Sequence, residues 1–220
     1  MKKFLDKLTK THLYWDVCVF VVTFSVLLVR WDMLATYQRC AYILLIIMCF
    51  HQIEEYRLPG GFVWGYNEFM KSTDPIRYPG NRLNASFVDI LSFILALPPL
   101  LCGCSEVLCI FFAIFAILES VMHLLFGIDA YRRYHSKGKD TLYFPGNATA
   151  FFGFLPISIV TLIELSESGK LTGDLLLGGF LVLVVYMALG WALPNFALQD
   201  KNSPYIYTNV PVEGYFHKFI

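Results

Sequence analysis

Val107-Leu108-Cys109-Ile110-Phe111-Phe112-Ala113-Ile114-Phe115-Ala116-Ile117-Leu118 is an unbroken apolar run. It ends on Glu119-Ser120-Val121-Met122-His123 and resumes as Leu124-Leu125-Phe126. With its flanks, residues 105–128, it is long enough to cross the roughly 30 Å of bilayer hydrocarbon as a helix. A strand reading fails, because the run does not alternate and open backbone groups find no partner in hydrocarbon. Glu119 therefore falls inside the apolar layer, about two turns from one end. An ionisable group there costs roughly 3 kcal/mol unless it is paired or hydrated. His123, four residues on, shares its face. The plainer alternative is one buried Glu–His hydrogen bond that stabilises helix packing.

The rest of the chain repeats the pattern. Of 220 residues, 57% are hydrophobic and only 15% charged, against about a quarter charged in a typical soluble domain. Mean hydropathy is +0.57. Six segments qualify as spans: 13–31, 34–56, 85–101, 105–128, 149–165 and 173–193. The second is interrupted at its start by Gln38 and Arg39. Pro98 and Pro99 are expected to kink or end the third, and Pro156 to bend the fifth. The basic N-terminus before the first span resembles a signal peptide, but no small-residue cleavage site follows, so the span is expected to stay. With the N-terminus inside, 14 of the 17 Lys and Arg fall on inside loops, leaving Arg30, Arg39 and Lys170 outside. The expected fold is thus all-α, a polytopic membrane helix bundle of about six transmembrane helices, with both termini cytoplasmic. No repeat, low-complexity tract or domain boundary divides residues 1–220. A net charge of zero gives no reason to expect a nucleic-acid partner.

Cys18, Cys40, Cys49 and Cys109 lie in apolar stretches and read as small hydrophobes. Trp64, Tyr66 and Phe69, between two Pro-Gly sites, read as an interfacial segment. The tail after Pro194 is polar, with Tyr205, Tyr207 and Tyr215.

Chemistry gathers at one depth. His51, Glu54 and Glu55 follow the apolar residues 41–50 with no turn between, so the helix carries an imidazole and two carboxylates out on neighbouring faces. A solvated helix exit is the alternative, although two carboxylates at a helix C-terminus oppose its dipole. The second and fourth spans run the same way, so this cluster and Glu119–His123 share the cytoplasmic leaflet. Mixed carboxylate–histidine ligands suit zinc, iron or manganese better than calcium or magnesium. The candidate metal ligands are His51, Glu54, Glu55, Glu119 and His123. Further polar groups fall at the same level. His12 and Asp16 fit ordinary interfacial placement, Asn84 and Asp89 fit caps or packing hydrogen bonds, and Tyr143, Asn147 and Thr149 precede the fifth span.

His51-Gln-Ile-Glu54-Glu55, an Asn near the next span, Glu119-xxx-His123 and Tyr143-Phe-Pro145-Gly146-Asn-Ala-Thr149 together resemble the HXXEE domain family, over roughly residues 41–165. The resemblance implies an integral membrane protein, largely bacterial and so of the inner (plasma) membrane, with no established activity. Its motif positions fall on His51, Glu54, Glu55, Glu119, His123, Tyr143, Pro145 and Gly146, with Asn84 a looser fit. Glu119, Glu55, Tyr143 and Asn84 are the candidate catalytic residues. The leading expectation is a metal-dependent hydrolase acting on a lipid or prenyl-like substrate from the cytoplasmic leaflet, with Glu119 as ligand or general base. Only five His are present, and the multi-histidine boxes of desaturases are absent. A metal-free acid–base isomerase or cyclase, or a proton-coupled transporter, would use the same residues.

Overall fold

The computed structural model describes residues 2–206 and 213–220. Tyr207 lies outside them. Among the described residues there is no strand, and the long helices pack into one bundle. Helix α1 (Lys2–Arg30) leads into α2 (Thr36–Tyr56). A short α3 (Phe62–Phe69) precedes α4 (Arg82–Gly103) and α5 (Glu106–Tyr134). The last two long helices are α6 (Asn147–Glu167) and α7 (Gly173–Leu198). A closing turn, Gly214–Phe219, returns to the bundle.

Helix starts follow ordinary capping chemistry. Asn81 Oδ1 accepts from the Leu83 and Asn84 amides at 2.8 and 3.2 Å, and the Asn84 side chain returns the favour by accepting from the Asn81 amide at 2.7 Å. Ser105 and Thr172 cap α5 and α7. Helix α4 carries Pro98 and Pro99 in its last turns and ends at Gly103. Polar residues of other helices take its terminal carbonyls. Arg30 donates to Leu101 O at 2.9 Å, Tyr42 to Leu100 O at 2.9 Å and Gln38 to Cys104 O at 2.7 Å. Gln38, which interrupts an apolar run in the sequence, is therefore a helix-end partner.

Five stretches among the described residues are long and apolar enough to cross a membrane: Lys2–Met33, Arg82–Gly103, Glu106–Lys137, Asn147–Glu167 and Gly173–Leu198. Apolar side chains such as Leu28 and Val29 on α1, and Leu177 and Phe180 on α7, face outward, as a lipid-covered surface requires. The sixth expected span, α2, falls short of the others because Gln38, Arg39, His51, Gln52, Glu54 and Glu55 load its ends. It is also the enclosed helix, packed by α1, α4, α5 and α6, with Ala41, Tyr42, Leu44, Leu45 and Cys49 in the core.

Two stretches widen into π-helical turns, Ala150–Phe154 in α6 and Met187–Ala192 in α7. Each lies just before a proline, Pro156 or Pro194. Proline withdraws an N–H from the ladder and its ring crowds the carbonyl four residues back, here Phe152 or Gly190, inside the widened turns. Such bulges are common at functional sites. The six cysteines are all free.

At the end where α2 and α5 finish, α3 closes over the bundle. Trp64, Tyr66 and Phe69 pack around Phe126, Tyr134 and Phe144. They form a lid on the protein interior, because these aromatic residues of α5 and the following loop offer them a well-packed apolar surface. His12 and Asp16 are enclosed by the fold. They are 3% and 0% exposed, between α1 and its neighbours, because α4 brings Asp89 against Asp16. The two carboxyl groups lie within hydrogen-bonding reach of each other, and none of their four oxygens has a hydrogen-bond donor among the described residues. Such a pair requires a shared proton or a cation.

Candidate metal centre

Helix α2 continues through its polar end, as the sequence implies, because Glu54 and Glu55 both have partners inside the fold. Their paths diverge by about 100° around the axis.

Glu54 turns towards the first turn of α6. Its Oε1 accepts from Tyr143 OH at 2.9 Å and from the Ala148 amide at 3.0 Å. Its Oε2 accepts from the Thr149 amide at 2.9 Å and hydroxyl at 2.7 Å. A carboxylate at a helix N-terminus meets both the free amides and the positive end of the dipole. Gly146, at φ +100°, makes the turn that aims these amides. Burial, then the neighbouring carboxylate of Glu54, raises the Tyr143 phenol above its ordinary range, so Tyr143 stays protonated and donating.

Glu55 turns towards α5. Its Oε1 lies 3.4 Å from His51 Nε2 and 3.2 Å from His123 Nε2. His51, Glu55 and His123 each present a ligand atom, all within 4.8 Å of one another, and all three side chains are buried. Neither ring nitrogen of His123 makes a hydrogen bond of good geometry among the described residues. A side chain at Gly146 is excluded on space as well as on backbone angle, since its Cβ would sit 2.1 Å from the His123 ring.

The tautomer of His51 follows from its neighbours. His51 Nδ1 lies 2.8 Å from Thr149 Oγ1, and the Thr149 hydroxyl proton is directed at the Glu54 carboxylate. Thr149 therefore accepts from His51 Nδ1–H, which leaves the Nε2 lone pair facing Glu55 and His123. Hydrogen bonds of this kind fix the orientation of metal-binding histidines. Phe154 and Phe62 pack beside the two rings, at 4.9 Å from His51 and 5.8 Å from His123. Ser120, one residue past Glu119, donates to Ala150 O at 3.1 Å and ties α5 to the π turns of α6.

Glu119 Oε2 stands 4.0 Å from His123 Nε2 with its side chain 26% exposed. It lines a small cavity of about 70 Å³ with His51 and Glu55, walled by Met48, Ser92, Phe115, Tyr186 and Trp191. Of the sequence candidates, His51, Glu55 and His123 converge, Glu119 borders them, and Glu54 with Tyr143 forms the adjoining network. Asn84 is elsewhere: both ends of its amide serve the start of α4, on Asn81 and on Pro79 O at 3.0 Å. The roles of Gly146 and of the Ala148 amide were not read from sequence. A Pro-Gly pair followed by Thr at a helix start was the available sign.

No curated protein and no solved structure matches the chain. The model of a family described as "Protein of unknown function with HXXEE motif" matches residues 42–161, which include every residue of the triad and of the Glu54 network. With over half of its length matched, the chain belongs to that HXXEE family.

Proposed function

We propose that this protein is a membrane-embedded, metal-dependent hydrolase for a lipid or prenyl-like substrate, reached from the cytoplasmic leaflet. The observation that carries the reading is the convergence of His51 Nε2, Glu55 Oε1 and His123 Nε2 in a buried pocket. Two imidazoles and one carboxylate are the ligand set of hydrolytic zinc sites that keep a fourth position open. The same set with several open positions suits iron. A bound divalent ion supplies Lewis acidity and lowers the pKa of water in the site towards neutrality.

The chain's own residues divide the remaining work. His51, Glu55 and His123 hold the ion. Glu54 and Thr149 fix the His51 ring through Nδ1. Glu119, beside the triad and open to the cavity, takes a proton from the attacking water and delivers it to the leaving group. Tyr143 donates to Glu54 and steadies that network. The apolar surroundings of the cavity favour a hydrocarbon-bearing substrate.

The same reading makes α2 a sixth span and puts both termini and the triad on the cytoplasmic side of a bacterial inner membrane. The charge asymmetry of the loops supports this.

The test is elemental mass spectrometry of the purified protein. Stoichiometric zinc, iron or manganese is expected in the parent and lost in His51→Ala, Glu55→Gln and His123→Ala. A parent without metal after reconstitution with each ion would sink this reading. Acid–base catalysis by Glu119 and His123 alone would then take its place, favoured by the access of Glu119 to the cavity.

A further inference from the structure

The cavity at the triad, about 70 Å³, is far smaller than the roughly 300–1,000 Å³ of a site that encloses a small molecule. It admits a polar group and little more. A second cavity of about 440 Å³ lies between α4, α5 and α7, lined by Leu95, Leu108, Phe111, Leu181 and Val185. Tyr186 lines both cavities.

The two spaces are stacked along the same helix faces. On α4 the wall passes from Ser92 to Leu95, one turn apart, and on α5 from Phe115 to Phe111, again one turn. Phe111 and Phe115 hold the Tyr186 ring at centroid distances of 5.0 and 5.2 Å. Ser92 is within hydrogen-bonding reach of the Tyr186 hydroxyl. The result is an aromatic partition with a polar chamber on one side and an apolar one on the other. Directly after Tyr186, the π turns of α7 place Met187 and Trp191 against the polar chamber.

On α5 the larger cavity is lined from Ser105 to Phe111, about 9 Å at 1.5 Å per residue. The geometry points to the larger cavity as the binding site for one hydrocarbon chain of an amphiphile drawn from the bilayer, with its polar group directed past Tyr186, which lines both cavities, towards the triad. The inference rests on the triad being the reactive centre only for the placement of that polar group. The chain site itself stands on the cavity and its apolar lining.

The test uses the full chain in detergent micelles and a diazirine-bearing palmitic acid, with labelled residues mapped by mass spectrometry. Label is expected to concentrate on α4, α5 and α7 around Leu95, Leu108 and Val185. Leu108→Trp fills the cavity from its buried wall and Val185→Trp from its lipid-facing rim. Each is expected to reduce that labelling about tenfold, a loss of roughly 1.4 kcal/mol of binding. The outward-facing Leu177→Trp is expected to leave it unchanged. His51→Ala is expected to keep the label, so retained label in a protein that binds no metal supports the chain site while the hydrolase reading fails. Equal labelling of α1 and the cavity, or full labelling in a folded Val185→Trp protein, overturns the inference.

Discussion

At the scale of single residues, two adjacent glutamates do different work. Glu54 gathers four hydrogen bonds from Tyr143, Ala148 and Thr149, while Glu55 faces two imidazoles. Hydrogen bonds to a charged group are worth roughly 1.5–3 kcal/mol each. Glu54→Gln loses that charge and turns an amide N–H towards other donors. The expected outcome is a destabilisation of roughly 3 kcal/mol, read as a lower melting temperature in detergent, with metal still bound. Glu55→Gln is expected to invert the pattern, with metal lost and melting close to that of the metal-stripped parent. If Glu54→Gln melts like the parent, Glu54 is not the anchor described here. The sequence placed His51, Glu54 and Glu55 on neighbouring faces of one helix end. Which carboxylate faced the histidines was illegible, because the choice is made by the first turn of α6, a segment far away in the chain.

At the scale of elements, the loop between α5 and α6 and the closing turn brace each other around Lys139. Lys139 is 1% exposed, and its ammonium donates to Tyr143 O and, at 3.2 Å, to Tyr215 OH. Phe216 fills the space between Tyr134 and Phe144. Burial, with a smaller contribution from Lys218, lowers the Lys139 pKa from 10.5 to about 8. Between those values the unfolded chain holds the extra proton, so stability rises with pH across that window. Below about 8 both states are protonated and the full burial cost remains. The melting temperature of the parent is therefore expected to climb relative to Lys139→Met between pH 8 and 10.5. Parallel melting curves for the two proteins would remove Lys139 from that role. None of this was visible in the sequence, where Lys139 was one of many basic loop residues. The prolines were partly legible: Pro156 marked a disturbed helix, but the π turns ahead of it depend on how α6 meets Ser120 and His51.

At the scale of the whole molecule, the apolar runs announced the helices, since each is set by its own composition. The neighbours were not announced, because apolar faces carry little information about which partner they meet in lipid. The enclosure of α2, the pairing of Asp16 with Asp89 and the α3 lid all belong to that second class. The proposed topology makes a direct prediction. Green fluorescent protein fused to the C-terminus is expected to fluoresce in bacteria, and alkaline phosphatase at the same place to stay inactive. The reverse result would put the C-terminus, and with it the triad, on the outer side.

The enclosure of α2 also bears on how the chain is made. At its polar end, α1, the only long helix before it in the chain, supplies the His12 ring, 5.7 Å from that of Tyr56. The partners of His51, Glu54 and Glu55 on α5 and α6 emerge from the ribosome much later. In a nascent chain that stops after α2, His51 and Glu55 have only each other, four residues apart, and Glu54 lacks the amides that hold it. The polar end of α2 therefore gains its full set of contacts only once α5 and α6 have been made.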